Sequence, residues 1–213
     1  MVRYATSMRA FARLGLVTMV AVASACSVGQ GEGSVRGSLH ISGCDADLSA
    51  YDMNPDFFGA QSAQQQLLIR IQKGGAGQEY VDNLVISVDD VFAVRRSLLN
   101  TPIAVEVERP PGSPLARPAP PVKISLSLRG SCGTQYFNPG DPAQVVLHAT
   151  SGTITFTSML DPNADLRDTN AKRIEGSFSV HLDDPRYPGK STGDITGSFK
   201  FFYQRGGPAQ PFP

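Results

Sequence analysis

From Val122 to Leu128 the chain alternates without a break, Val122, Ile124, Leu126 and Leu128 against Lys123, Ser125 and Ser127. Successive side chains on a strand point to opposite faces, so this pattern specifies a strand with one buried face and one wet face. The same period recurs at residues 35–43, 66–72, 82–88 and 103–108, then at 144–150, 152–158, 173–182 and 194–203. A short local grammar repeats within it. Val35-Arg36-Gly37-Ser38-Leu39, Ile174-Glu175-Gly176-Ser177-Phe178 and Ile195-Thr196-Gly197-Ser198-Phe199 share one arrangement, and Leu128-Arg129-Gly130-Ser131-Cys132 begins in the same way. Glycine holds an inward position each time, which marks a bulge, a sharp coil or packing beneath a large side chain. The uneven spacing of these copies rules against a solenoid or propeller.

Gly (21) and Pro (16) are plentiful and long amphipathic stretches are missing, which favours strands and loops over helices. Residues 109–121 are proline-rich, and proline removes ladder donors, so no central strand passes there. Residues 44–63 show no strong period and read as a long connection, while 89–99 are ambiguous. The expectation is an all-β fold, an antiparallel β-sandwich of about eight or nine strands with long loops, with a closed barrel as the alternative. Outward positions carry Ser, Thr, Lys, Glu and His, which disfavours a membrane barrel.

A second pattern lies at the start. Arg3, Arg9 and Arg13 precede the apolar run from Leu14 to Ala25, 12 residues long, and no acidic residue occurs before Cys26. A spanning helix needs about 20 apolar residues. Basic residues, a short apolar run and small residues before a cut make a secretory signal, with Met8 as an alternative start. Ala23-Ser24-Ala25-Cys26 resembles the lipobox of bacterial lipoproteins. The resemblance covers residues 1–26 and implies a diacylglycerol on the Cys26 thiol, with cleavage just before it. Ala23 stands where the usual box has Leu. The alternative is an ordinary signal cut after Ala25. Ser27 follows where an Asp would favour the inner membrane, so the expectation is a membrane-anchored envelope lipoprotein, at the outer membrane if the cell has one.

Lipid on Cys26 leaves Cys44 and Cys132, an even pair in an oxidising compartment. The expectation is a disulfide, with two buried thiols as the alternative. The resulting organisation is a signal at 1–25, a tether at 26–34, a β-domain at 35–205 and a loose tail at 206–213. Losing three of 19 basic residues leaves 16 against 19 acidic in the mature chain. No basic field for nucleic acid results, so the expected partners are the membrane, through the lipid, and an envelope protein or small ligand.

Candidate chemistry is sparse. Asp161, Asn163 and Asp165 place oxygens at alternate positions, with Asp168 three further on, and resemble the start of an EF-hand-type calcium loop. Pro162, Leu166 and Lys172 depart from that pattern, and the alternative is a connection capped by Asx turns. Tyr51, Phe57 and Phe58 are either an exposed anchor patch or a plug for the open end of the sandwich. His40, His148 and His181 lie on separate strands and read as surface residues. Ser131 and Ser151 sit near glycines but in no nucleophile elbow. No catalytic motif and no cofactor site is apparent. The functional expectation is a lipid-anchored, non-catalytic binding or structural protein, then a calcium- or ligand-binding envelope module using loops at one end, then an envelope hydrolase.

Overall fold

The computed structural model describes residues 31–74, 81–105, 122–132, 146–161, 163 and 170–203. Its ten strands are β1 (Gly31–His40), β2 (Tyr51–Met53), β3 (Phe57–Ala63), β4 (Gln66–Gln72), β5 (Asp82–Val88), β6 (Ile103–Ala104), β7 (Val122–Leu128), β8 (Val146–Ser158), β9 (Arg173–Asp183) and β10 (Thr192–Phe202). They form one antiparallel sheet in the order β2-β1-β10-β9-β8-β7-β5-β4-β3, with β6 attached to β8. The all-β architecture is therefore as the alternation predicts. The alternating residues of β7 behave accordingly: Val122, Ile124, Leu126 and Leu128 are buried, and the three polar residues between them are half-buried.

The sheet curls until its two ends meet across a shared core. Phe58 on β3, the last strand in the order, faces Phe201 on β10, with ring centroids 6.1 Å apart. Tyr51 on β2, the first strand, donates its hydroxyl to Asp82 on β5 at 3.2 Å. Cys44, in the loop after β1, is bonded to Cys132, just beyond β7, with Cα atoms 5.1 Å apart. Both cysteines of the expected pair are thus used.

The repeated glycines have a packing reason. Gly176 on β9 lies between Phe199 of β10 and Phe156 of β8, and Gly197 on β10 lies beside Phe178 of β9. A Cβ on Gly197 would come within 2.4 Å of the Phe178 ring and of the Ser34 carbonyl oxygen. Large rings on one strand fill the space left by glycines on its neighbours, which keeps the layer dense without voids.

Several boundaries differ from the sequence expectation. Residues 31–34, assigned to the tether, form the start of β1 and pair with residues 198–201 of β10. Gly31, Glu32, Gly33 and Ser34 carry no apolar alternation of their own, and pairing with β10 decides their conformation. The connection at 44–63 contains β2 and β3. β2 is too short to show a period, and β3 is mostly Gly, Ala, Ser and Gln after its two phenylalanines. The described part of segment 144–150, residues 146–150, and segment 152–158 belong to one strand, β8, whose pairing to β9 shifts register between Ala149 and Ser151. Gly152, beside the shift, has φ +117°, which only glycine adopts without strain. Residues 89–99 hold a one-turn helix, α1 (Val91–Ala93), capped by the Asp90 side chain on the Ala93 N–H, and then a π-turn at Val94–Leu98. Residues 106–121, the proline-rich loop included, and the tail at 206–213 lie outside the described residues.

Candidate functional site

The β9–β10 connection is the most elaborately built loop in the described structure. Its sequence, Asp183-Asp184-Pro185-Arg186-Tyr187-Pro188-Gly189-Lys190-Ser191, joins two eleven-residue strands. Asp184 is 3% exposed. Its Oδ1 accepts from the Arg186 backbone N–H at 2.9 Å and from Arg186 Nε at 3.0 Å, while Oδ2 accepts from Arg186 Nη2 at 2.8 Å. This forked pairing, the strongest geometry for a guanidinium and a carboxylate, holds the Asp184 pKa below the ordinary carboxylate range, against the opposing effect of burial. The neighbouring Asp183 carboxylate receives the Gly189 N–H at 3.0 and 3.2 Å, and Gly189 has φ +78°.

Backbone bonds complete the loop. Asp184 N–H donates to the Ser191 carbonyl, Tyr187 N–H to the Asp184 carbonyl and Lys190 N–H to the Tyr187 carbonyl, each at 3.0 Å. Ser42 N–H donates to the Ser191 hydroxyl at 3.1 Å and ties the hairpin to the loop after β1. Two prolines restrict the backbone further. What this framework displays is Tyr187, 58% exposed. Arg186 Cζ stands 6.0 Å and Lys190 Nζ 5.5 Å from its ring centroid. An exposed aromatic ring flanked by two cations, on a loop whose own carboxylates are occupied internally, suits recognition of another molecule.

The histidines gather behind this tip. His40 is level with Thr192, Thr192 with Asp183, and Asp183 with His148, so one row crosses β1, β10, β9 and β8. His181 Nδ1 lies 2.9 Å from Asp194 Oδ1. His40, His148 and His181 stay on separate strands, with His40 and His148 three strands apart along that row. Among the described residues, no cluster of three or more His, Cys, Asp or Glu is arranged to hold a metal.

The other candidates fall elsewhere. Tyr51, Phe57 and Phe58 are 5%, 6% and 1% exposed. They are not an exposed anchor patch: β2 and β3 turn them into the packed structure. Phe58 covers the backbone of Gly31 and Gly33, and Phe57 lies along Gly59. Burial, with the Asp82 carboxylate beside it, raises the Tyr51 hydroxyl pKa. Asp82 also accepts the N–H groups of Gly130 and Ser131, each at 2.9 Å, and the Ser131 hydroxyl. This buried carboxylate therefore organises the turn that carries Cys132, and the Ser131 hydroxyl is committed to it.

Asp161 uses Oδ1 to accept the Asn163 N–H at 3.0 Å and pairs through Oδ2 with Arg95 Nη2 at 3.1 Å. That is the Asx turn with an ion pair added. Asp165 and Asp168 lie outside the described residues, as does Cys26. A shallow cavity of about 300 Å³ is lined by Gln65, Asp90, Phe92 and Arg96. Asp90 caps α1, and Arg96 Nε donates to the Phe92 carbonyl at 3.3 Å. No helix of the described residues is long and apolar enough to cross a membrane.

The alternation shows the strands at 173–182 and 194–203 and leaves the tip between them as an unassigned connection. The available signal was Arg-Tyr-Pro-Gly-Lys placed between two clean strands. No protein-family model, curated protein or solved structure matches the chain.

Proposed function

We propose that the chain is a lipid-anchored protein of the bacterial cell envelope with a non-catalytic binding role, exercised through the β9–β10 tip. The observation that carries the reading is the pairing of Cys44 with Cys132. A structural disulfide suits an oxidising compartment, and it accounts for two of the three cysteines in the chain. The third, Cys26, ends the apolar run and follows three small residues. The tip supplies the binding surface, because Tyr187, Arg186 and Lys190 are residue types that anchor interfaces, or ring them, when held rigidly.

Cys26→Ser tests the anchor. The substituted chain should lose the diacylglycerol mass and leave the membrane fraction, with its melting temperature unchanged. A variant that stays membrane-bound after a salt wash refutes the anchor. Tyr187→Ala in the lipidated chain tests the tip. It should abolish cross-linking to an envelope partner while shifting stability by no more than about 0.5 kcal/mol, as surface substitutions do. An unchanged cross-linking pattern refutes the tip as the binding surface.

A further inference from the structure

We infer that the end of the sheet where β1 begins and β10 ends rests on the bilayer, with the Phe202 ring seated among the lipid head groups. The inference rests on the lipid anchoring of Cys26 proposed above. Gly31, the first residue of β1, is paired with Phe201, so Phe202 stands at the same end of the sheet. Gly31 follows Cys26 by five positions. A fully extended chain spans at most about 3.6 Å per residue, so a lipidated Cys26 holds this end within roughly 18 Å of the membrane. The short reach matters because β1 takes up residues 31–34, which the sequence alone leaves to the tether.

The chemistry of this end suits a lipid surface. Phe202 is 40% exposed, and the only other exposed large hydrophobic side chain among the described residues is Tyr187, at the opposite end of the hairpin. Arg173 is the cross-strand partner of Phe202. Lys172 lies beside it, with its carbonyl bound to the Tyr203 N–H at 2.8 Å, and Lys200 precedes it by two positions on the same strand. Glu32 and Glu175 share the edge, and Glu175 is paired with Arg173. The edge is therefore mixed in charge, so burial of the ring, rather than a net basic charge, would hold it at the lipid. An aromatic ring beside long basic side chains is the arrangement that settles at a head-group boundary, where the stems lie along apolar surface and the charges stay wet.

The chain contains no tryptophan, so Phe202→Trp introduces a single reporter. The lipidated full chain is incorporated into phosphatidylcholine–phosphatidylglycerol vesicles with brominated acyl chains. Emission from the Phe202→Trp indole should fall roughly twofold relative to unbrominated vesicles, and emission from a Tyr187→Trp reporter by no more than about a tenth, because only the first site lies at the interface. In the unsubstituted chain, amide exchange at Phe202 and Tyr203 should be slower in the vesicle-bound form than in soluble Cys26→Ser, with residues 184–191 unchanged. Vesicle-bound protein with an unquenched Phe202→Trp indole overturns the docking and leaves the anchor intact. Quenching without slowed exchange in the unsubstituted chain assigns the contact to the introduced indole and also overturns it. A second copy or a protein partner at this edge would slow exchange without quenching, the same negative result. A chain with no lipid mass that remains in the aqueous phase overturns anchor and docking together.

Discussion

Removing the Cys44–Cys132 bond by the double substitution Cys44→Ala, Cys132→Ala should destabilise the domain far more than two small-residue changes normally do. The bond spans a sequence separation of 88 residues. In the chain-entropy description a loop of that length restricts the unfolded chain by about 4–5 kcal/mol. The folded junction should survive the substitution, because other contacts hold the same place. Cys132 N–H donates to the Leu128 carbonyl at 3.0 Å, and Leu39 N–H to the Leu48 carbonyl at 2.9 Å. Asp82 holds the turn at Gly130 and Ser131 and also binds Tyr51 across the core. The loss therefore comes mainly from the greater freedom of the unfolded chain. At about 2–4 °C per kcal/mol for a domain of this size, the melting temperature should fall by roughly 8–20 °C. The denaturant slope should rise, because an unlinked unfolded chain exposes more surface. Melting and urea unfolding of the soluble Cys26→Ser form, with and without the double substitution, measure both quantities. A fall below about 3 °C with an unchanged slope would refute the reasoning. Adding Asp82→Asn should cost more than the sum of the separate effects, because carboxylate and disulfide hold one junction.

Gly197→Ala should cost about 1–3 kcal/mol by overpacking, since its Cβ would sit 2.4 Å from both Phe178 and the Ser34 carbonyl. A neutral melting curve would show that β10 can move away from β1 and β9. Asp184, held low chiefly by the Arg186 guanidinium, should stabilise the fold above about pH 4 and lose that contribution as pH falls through its lowered folded value. Asp184→Asn should flatten the acid limb of the stability profile, and an acid limb unchanged by the substitution would discount the pair.

Where one face of a strand is apolar and the other polar, the structure could be anticipated from composition along the chain. The bounds of β4, β5 and β7 coincide with the alternation because each buries a row of aliphatic side chains on one face; the other face is wholly polar in β7 and includes half-buried Leu68 in β4 and Val85 in β5. β3 escaped notice because Phe57 and Phe58 are adjacent and the residues after them are small. Its strand character comes from pairing with β4 and from Phe58 filling the space over Gly31 and Gly33. The glycine grammar pointed to close packing beneath large side chains, but the identity of each facing phenylalanine depends on register. The tip was harder still. Its rigidity comes from Asp183 and Asp184 binding inside their own loop, and a pair of acidic residues at a strand end looks the same in sequence whether solvated or buried.

Two large hydrophobic side chains are exposed on the described residues, and they mark the two ends of one hairpin. Midway along the outer face of β9 and β10, Ser177, Ser179, Thr196 and Ser198 are exposed and small. Both strands are interior in the sheet order, β10 flanked by β1 and β9, and β9 by β10 and β8. An interior strand hydrogen-bonded on both sides resists bending, so the hairpin is stiff. Its eleven-residue strands extend about 33–36 Å at the usual rise. With Phe202 held at the membrane, Tyr187 would stand at least that far along the hairpin from the lipid, on a loop too hydrogen-bonded to fold back. Reach would then be set by strand length rather than by a flexible linker, and the glycine–phenylalanine packing that keeps β9 and β10 close would also fix the height at which the tip is presented.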